Sequence, residues 1–315
     1  MDVSVLIVTY RCREAARECL ASLYEHPPGT DFEVIVLDNA SGDGTVEMIR
    51  DEFPQVRLLA LDENLGFAAG VNRAAEDAGG DHLLLLNPDT VVHEGAVANL
   101  LEFARAHPEH GLNGGRTLRP DGTLDPGSCW AQPTLWSLFC FATMLSTAFK
   151  GSRVFDPEAL GGWQRDTVRE VGIVTGCLLL VRRELWRELG GFDLRFFMYG
   201  EDADLSLRAR NHGFRPAITP DAVITHEVGI SSAARPDKLI LLYRGKATLL
   251  RKHWRPLRRA AGLTLLWLGV GVRALLADAA PRSRTDGKVS GWHEVWRARR
   301  HWLAGYPDVA AGSAP

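Results

Sequence analysis

The run His82-Leu-Leu-Leu-Leu-Asn-Pro-Asp-Thr90 constrains the fold more than any other stretch of the chain. Four leucines between polar residues read as a short strand buried on both faces, as in the middle of a parallel sheet covered by helices. Pro88 cannot donate to a sheet ladder and pushes Asn87 into an extended conformation. Asn87 and Asp89 therefore emerge together at the carboxyl end of a central strand, the edge at which open α/β sheets bind ligands. A carboxylate at that edge suits a divalent cation that also holds phosphate oxygens. The same tetrapeptide also reads as a turn in which Asp89 caps the helix near Glu94, and alone it does not decide between the two.

The residues upstream repeat one rhythm. Val3 to Thr9, Glu33 to Asp38 and Val56 to Ala60 read as strands, separated by helical stretches that end near Tyr24 and Ile49. Asn64-Leu-Gly-Phe67 opens a further helix from about Ala68 to Asp77. Strands alternating with helices at this spacing give right-handed βαβ units and a parallel sheet. Each strand ends in polar residues: Thr9-Tyr10-Arg11, Asp38-Asn39, Asn64 and Asp89. Asp38 could accept the imide N–H of a pyrimidine, Arg11 and nearby N–H groups could face phosphates, and Gly66 and Gly70 allow close backbone approach. Ser41 and Asp43 read as turn or cap residues. The first strand leads into Thr-Tyr-Arg, where dinucleotide binding needs G-x-G-x-x-G, and no Walker sequence is present.

Downstream, Glu94 to Ala106 reads as a helix and Arg116 to Leu124 as a hairpin around Asp121-Gly122. The almost uncharged run from Cys129 to Phe149 reads either as a buried core helix or as an apolar flap for a lipid-bearing acceptor or a membrane surface. Val171 to Val181 is a strand interrupted by glycines, with Gly176 allowing close approach of a ligand. Glu201, Asp202 and Asp204 fall in the first turn of a helix, where carboxylates suit the dipole but where one could also act as a general base. Ala222 to His226 is a strand whose terminal His226 could complete a cation site with Asp89.

A chain of 315 residues suits one large α/β domain with an appendage. The formal charge of −3 disfavours a nucleic-acid partner. The five cysteines show no CxxC spacing and read as reduced, cytosolic thiols, and Met1-Asp2 leads into a strand with no signal-peptide pattern.

Taken in order, Val-Thr-Tyr-Arg, Leu-Asp-Asn-Ala-Ser, Asn-Leu-Gly-Phe-Ala-Ala-Gly-Val-Asn, Leu-Leu-Asn-Pro-Asp, Gly-Gly-Phe-Asp, Gly-Glu-Asp-Ala-Asp-Leu and Thr-His-Glu resemble a family 2 glycosyltransferase of the GT-A fold. The likeness is to bacterial rhamnosyltransferase-like enzymes of cell-wall and surface-polysaccharide assembly, over roughly residues 3 to 254. It implies a mixed, mostly parallel sheet flanked by helices. It also implies a nucleotide pocket at Thr9, Tyr10, Arg11, Asp38 and Asn39, with Asn64, Gly66, Gly70 and Asn72 near ribose and pyrophosphate. Asn87-Pro-Asp89 takes the DxD position with Asn87 replacing the first acid, so Asp89, with His226, would hold Mg²⁺ or Mn²⁺. Asp202 would be the catalytic base and Glu201 its neighbour. The implied partners are a dTDP- or UDP-linked sugar and a glycan or lipid-linked glycan acceptor, and the implied reaction is a single inverting displacement. A nucleotidyltransferase would need a glycine-rich loop with a basic residue after the first strand, which is missing; a non-catalytic nucleotide-sugar scaffold would need no base.

Beyond His226, Arg244, Lys246, Arg251, Lys252, Arg255, Arg258 and Arg259 lie among apolar residues and lead into Ala260 to Val272. That apolar run reads as shorter than the roughly 20 residues a bilayer needs and as broken by Arg273. It fits a helix lying peripherally in the cytoplasmic membrane interface, or a helical hairpin against the catalytic domain or a homodimer partner. The expected organisation is a catalytic domain over 1–235, a helical appendage over 236–305 and a disordered tail over 306–315.

Overall fold

The apolar runs of the first half are strands in the computed structural model, which describes residues 1–227, 235–279 and 291–308. In chain order come β1 (Val3–Thr9), α1 (Arg13–Glu25), β2 (Phe32–Asp38), α2 (Thr45–Glu52), β3 (Arg57–Ala60), α3 (Phe67–Glu76), β4 (His82–Leu86), β5 (Thr90–Val92) and α4 (Ala96–Ala106). There follow β6 (Leu112–Leu118), β7 (Cys129–Trp130), α5 (Leu135–Ala142), α6 (Leu145–Ala148), β8 (Arg169–Glu170), β9 (Ile173–Val174), β10 (Leu178–Arg182), α7 (Arg183–Leu189), α8 (Glu201–Asn211) and β11 (Ala217–His226). The chain continues with α9 (Arg235–His253), α10 (Pro256–Ala279), α11 (Trp292–Arg297) and α12 (Arg299–Ala304).

The main sheet runs β3-β2-β1-β4-β10-β6-β11-β5, with β8 added on β11. β1 to β4 are mutually parallel where they pair, β10 is antiparallel to both β4 and β6, and β11 is parallel to β6. Following those directions, the carboxyl ends of β1, β2, β4, β6 and β11 all lie at one edge. The expected mixed, mostly parallel sheet is therefore present. All five residues of β4 are buried. Val5, Ile7, Val36, Leu84 and Leu180 form one core with Ala16, Leu20 and Leu23 of α1 and Val97 and Leu100 of α4. Leu6, Ile35, Leu83 and Leu85 point the other way and are equally buried, so both faces are covered. Gly70 belongs to this packing, because a Cβ there would lie 3.0 Å from Val8 Cγ1 and 3.3 Å from Leu37 Cδ2.

Contacts divide the chain into two compact units: residues 1–130, 164–197 and 201–231, and residues 131–163, 198–200 and 232–315. Ala131–Trp163 groups with the C-terminal helices. The reason lies in the second unit's own packing. Leu138 of α5 shares a core with Tyr243, Leu250, Trp254, Leu266 and Trp302, and Lys246 pairs with Glu158 at 2.6 Å.

Arg273 does not break α10. It lies on the buried side with Leu266, Val270 and Ala274, stacks on the Phe141 ring and donates to Phe141 O at 2.7 Å and Gly269 O at 3.0 Å. Pro256–Ala277 is thus 22 continuous residues with mean hydropathy 1.7, long and apolar enough to cross a membrane by length and composition. Order also extends past the expected start of the tail: Tyr306 is buried and its hydroxyl donates to Met198 O at 2.7 Å. Residues 309–315 of that tail lie outside the described residues.

Leu84→Ala should destabilise the protein by about 2–5 kcal/mol, read as a lower urea midpoint at unchanged slope.

Candidate functional site

The turn after β4 and the end of β11 build one half of the site. Asn87 donates its backbone N–H to Cys177 O at 3.2 Å, and its carbonyl accepts from Thr90 Oγ1 at 2.7 Å. This turn leads into β5, which pairs antiparallel with β11 so that His226 stands opposite Thr90. His226 Nε2 consequently lies 3.2 Å from Asp89 Oδ1 and 3.5 Å from Asn87 Nδ2. On the other side of the ring, Nδ1 faces Asp125 Oδ2 at 3.6 Å. Asp125 is fixed in turn, because its Oδ1 accepts from Gly127 N at 3.1 Å at the start of a short 3₁₀ turn. Burial disfavours a charged His226, but the hydrogen bonds of Asp125 and Asp89 outweigh it and raise its pKa to about 10. Asp89 Oδ1 and His226 Nε2 thus lie side by side, and a cation could take the place of the imidazolium proton that the two share. That donor pair fits a divalent cation with positions left for phosphate oxygens.

Asp125 was not singled out in the sequence. Its only local signal is Asp-Pro, an ordinary way to open a turn.

The second half of the site is the start of α8. Asp202 Oδ2 accepts from Gly176 N at 3.2 Å and Oδ1 from Ala203 N at 2.7 Å. Burial raises the Asp202 carboxyl against the pull of those backbone donors. Glu201 is 5% exposed, with Oε2 buried and unpartnered among the described residues. Burial first, and then the charge of Asp202, hold its carboxyl well above the usual range. Asp204 has a structural job: it is buried and paired to Arg208 at 2.7 Å.

The two halves meet on one short piece of backbone. Cys177 O takes the N–H of Asn87, and Gly176 N–H goes to Asp202. These two residues fall, with Thr175, in the gap between β9 and β10 that the glycine-interrupted strand foreshadowed.

The loops after β1, β2 and β3 lie at the same edge. Asp38 is 1% exposed and accepts from Thr9 Oγ1 at 3.0 Å and Ser41 N at 3.0 Å, so it shapes the turn rather than presenting a free carboxylate. Asn39 donates to Gly66 O at 3.0 Å and accepts from Leu65 N at 3.1 Å, and Asn64 Oδ1 accepts from Gly66 N at 2.8 Å. Gly66 has φ +86°, and a Cβ there would sit 2.5 Å from Phe197 O. Only glycine therefore lets this loop lie against the segment leading to α8. Arg11, exposed and at φ 50°, donates its N–H to Ser41 Oγ at 3.0 Å while its guanidinium lies over Tyr10. Two expected wall residues are placed differently. Gly70 is inside the α3–sheet contact, and Asn72 clamps the backbone of Phe192 with two 2.8 Å bonds.

The family model described as "Glycosyl transferase family 2" matches residues 4–161, half of the chain. The chain belongs to this family. It is 33% identical over 254 residues to N-acetylglucosaminyl-diphospho-decaprenol L-rhamnosyltransferase of Mycobacterium tuberculosis, covering 74% of this chain and 78% of that one. It is 28% identical over 232 residues to the O-antigen biosynthesis protein RfbC of Myxococcus xanthus, covering 73% of this chain and 18% of the relative. Among solved structures, a mannosyltransferase from Pyrobaculum calidifontis in complex with GDP-Man and Mn²⁺ superposes with TM-score 0.57 at 21% identity, over 96% of this chain and 83% of the other. That likeness establishes the GT-A glycosyltransferase fold.

The raised Glu201 carboxyl has a consequence for stability. The folded chain keeps a proton there that the unfolded chain releases, so stability falls as pH rises above the ordinary carboxylate range. Glu201→Gln removes that loss. Its melting temperature should match the parent near pH 4 and exceed it at pH 8, with the gap opening as pH rises above the ordinary carboxylate range.

Proposed function

We propose that this glycosyltransferase moves L-rhamnose from dTDP-rhamnose to a hydroxyl of a polyprenyl-diphosphate-linked glycan by a single inverting displacement. The observation that carries the reading is the shared Gly176-Cys177 backbone, which holds Asn87 beside the Asp89–His226 pair and Asp202 at the same sheet edge. The donor and acceptor named follow the M. tuberculosis relative, which spans most of the chain.

In this reading Asp89 and His226 hold Mg²⁺ or Mn²⁺, which when bound would offset the negative charge that develops on the departing diphosphate. Asp125 acts behind them. Its carboxylate faces His226 Nδ1 and so keeps Nε2 turned toward Asp89. Asn39 and Asn64 hold the loop at Gly66 against which the nucleotide lies, and the turn fixed by Asp38 and Ser41 forms the base end of the pocket. Asp202 takes the proton of the acceptor hydroxyl as its oxygen bonds to the anomeric carbon and the bond to the diphosphate breaks. The N–H groups of Gly176 and Ala203 orient that carboxylate. Burial of Glu201 and the charge of Asp202 both disfavour a second charge beside it.

The acceptor's lipid would bring the chain to a membrane surface. Leu257, Leu268 and Leu275 recur on one side of α10 and are 90%, 41% and 71% exposed. On α5, Leu135, Trp136 and Phe139 are 38%, 45% and 41% exposed. With the arginines and lysines around His253, these suit peripheral attachment to anionic lipid at the cytoplasmic face.

Three outcomes test the proposal. Asp202→Asn should lower kcat for rhamnosyl transfer by about 10²–10⁴-fold with donor affinity kept, measured with dTDP-rhamnose and a lipid-linked acceptor; unchanged turnover would point to a non-catalytic role. Asp125→Ala should weaken Mn²⁺ binding about 10–100-fold, read by electron paramagnetic resonance of free Mn²⁺, with partial recovery in Asp125→Asn. Trp136→Ala with Phe139→Ala should reduce sedimentation with phosphatidylglycerol vesicles, and a variant that sediments like the parent would remove α5 from the membrane surface.

A further inference from the structure

The loop after α4 reads Ala106-His107-Pro108-Glu109-His110 and leads into β6. Its three metal-ligating side chains converge: one ligand atom each from His107, Glu109 and His110 lie within 4.8 Å of one another. Glu109 Oε1 is 3.3 Å from His107 Nδ1. The rings of His107 and His110 have centroids 5.4 Å apart, and Phe103 stacks on His110 at 5.5 Å.

His110 decides the chemistry. It is buried, and its Nδ1 lies 2.9 Å from the carbonyl of Arg215. A carbonyl can only accept, so Nδ1 carries the hydrogen, and in the neutral ring the lone pair is on Nε2. An imidazole with one nitrogen tied to a backbone carbonyl and the other left as a donor has the arrangement of a metal-ligating histidine. The loop itself is anchored in both directions, because Arg215 N donates back to Glu109 O at 3.0 Å. His107 is partly exposed and Glu109 exposed, so solvent can reach a cation from that side.

The cluster is not part of the transferase site. It precedes the first residue of β6 and faces the residue pair Arg215-Pro216 that leads into β11, whereas His226 ends β11 at the opposite sheet edge. Seven residues of β6 at about 3.3 Å each set the two edges about 20 Å apart.

We propose that His107, Glu109 and His110 form a second cation site, selective for a borderline divalent ion of the Zn²⁺ class. Two imidazoles and one carboxylate are a tetrahedral zinc donor set with the fourth position open to water. A bound ion would tie the end of α4 to the start of β6 and so stabilise the folded chain by mass action.

The test uses the full chain stripped with a chelator and titrated with Zn²⁺ against a chromophoric competitor. It is run in an Asp89→Ala, His226→Ala background, so that failure of the assigned transferase site cannot imitate the result. The expected result is one Zn²⁺ per chain and a Zn²⁺-dependent rise in melting temperature, both lost in His110→Ala. Because His110→Ala removes a buried side chain, His107→Ala with Glu109→Gln provides the second reading on exposed positions and should lose the same ion with the metal-free melting temperature unchanged. Retention of stoichiometric Zn²⁺ in that double variant, or no binding at micromolar Zn²⁺ in the background chain, would overturn the proposal.

Discussion

Two adjacent backbone groups tie the candidate site together: the carbonyl of Cys177, which takes Asn87 N–H, and the N–H of Gly176, which goes to Asp202. They are in place because β10 enters antiparallel between β4 and β6, bringing its first residue, Leu178, opposite Leu86 at the end of β4. The turn holding Asp89 and the start of α8 are far apart in sequence, yet each is one hydrogen bond from the same dipeptide. A second link runs through Gly66, whose missing side chain lets Phe197 close on the loop after β3, where Phe67 N donates to Phe197 O at 2.8 Å.

The residues gathered at this edge carry a stability cost. Glu201 is buried with an unpartnered oxygen, and Asp89 and Asp125 crowd one histidine. Carboxylates so placed repel one another unless protonated or offset by a positive group. Against burial, hydrogen bonds to Asp125 and Asp89 raise the pKa of His226, which favours a positive charge between the two carboxylates.

The sheet was legible because its strands are continuous apolar runs and Pro88 marks where the central one stops. The Asp89–His226 pairing was legible only as two strand ends that had to meet at one edge. Asp125 was not, since it reaches His226 through the return of the chain after β6 and the irregular pairing of β6 with β11 between Ile218 and Val223. The inward turn of Asp38 was hidden because its partners, Thr9 and Ser41, come from two loops. α10 was read as too short because hydropathy cannot register that Arg273 is satisfied by carbonyls of Phe141 and Gly269. The apolar run from Cys129 to Phe149 is neither wholly buried nor wholly exposed, which composition alone does not resolve. Leu138 and Cys140 are buried, while Trp136 and Phe139 are exposed.

The central claim is that one bound donor engages both halves of the edge. Amide hydrogen exchange on the full chain, with and without dTDP-rhamnose and Mn²⁺, measures this directly, since ligation suppresses local opening where contacts form. The account predicts added protection in the peptides covering 38–41, 64–67, 87–90 and 175–177 together, with the core of β4 unchanged. Protection confined to other loops, or protection at 87–90 without any at 38–41 and 64–67, would contradict it.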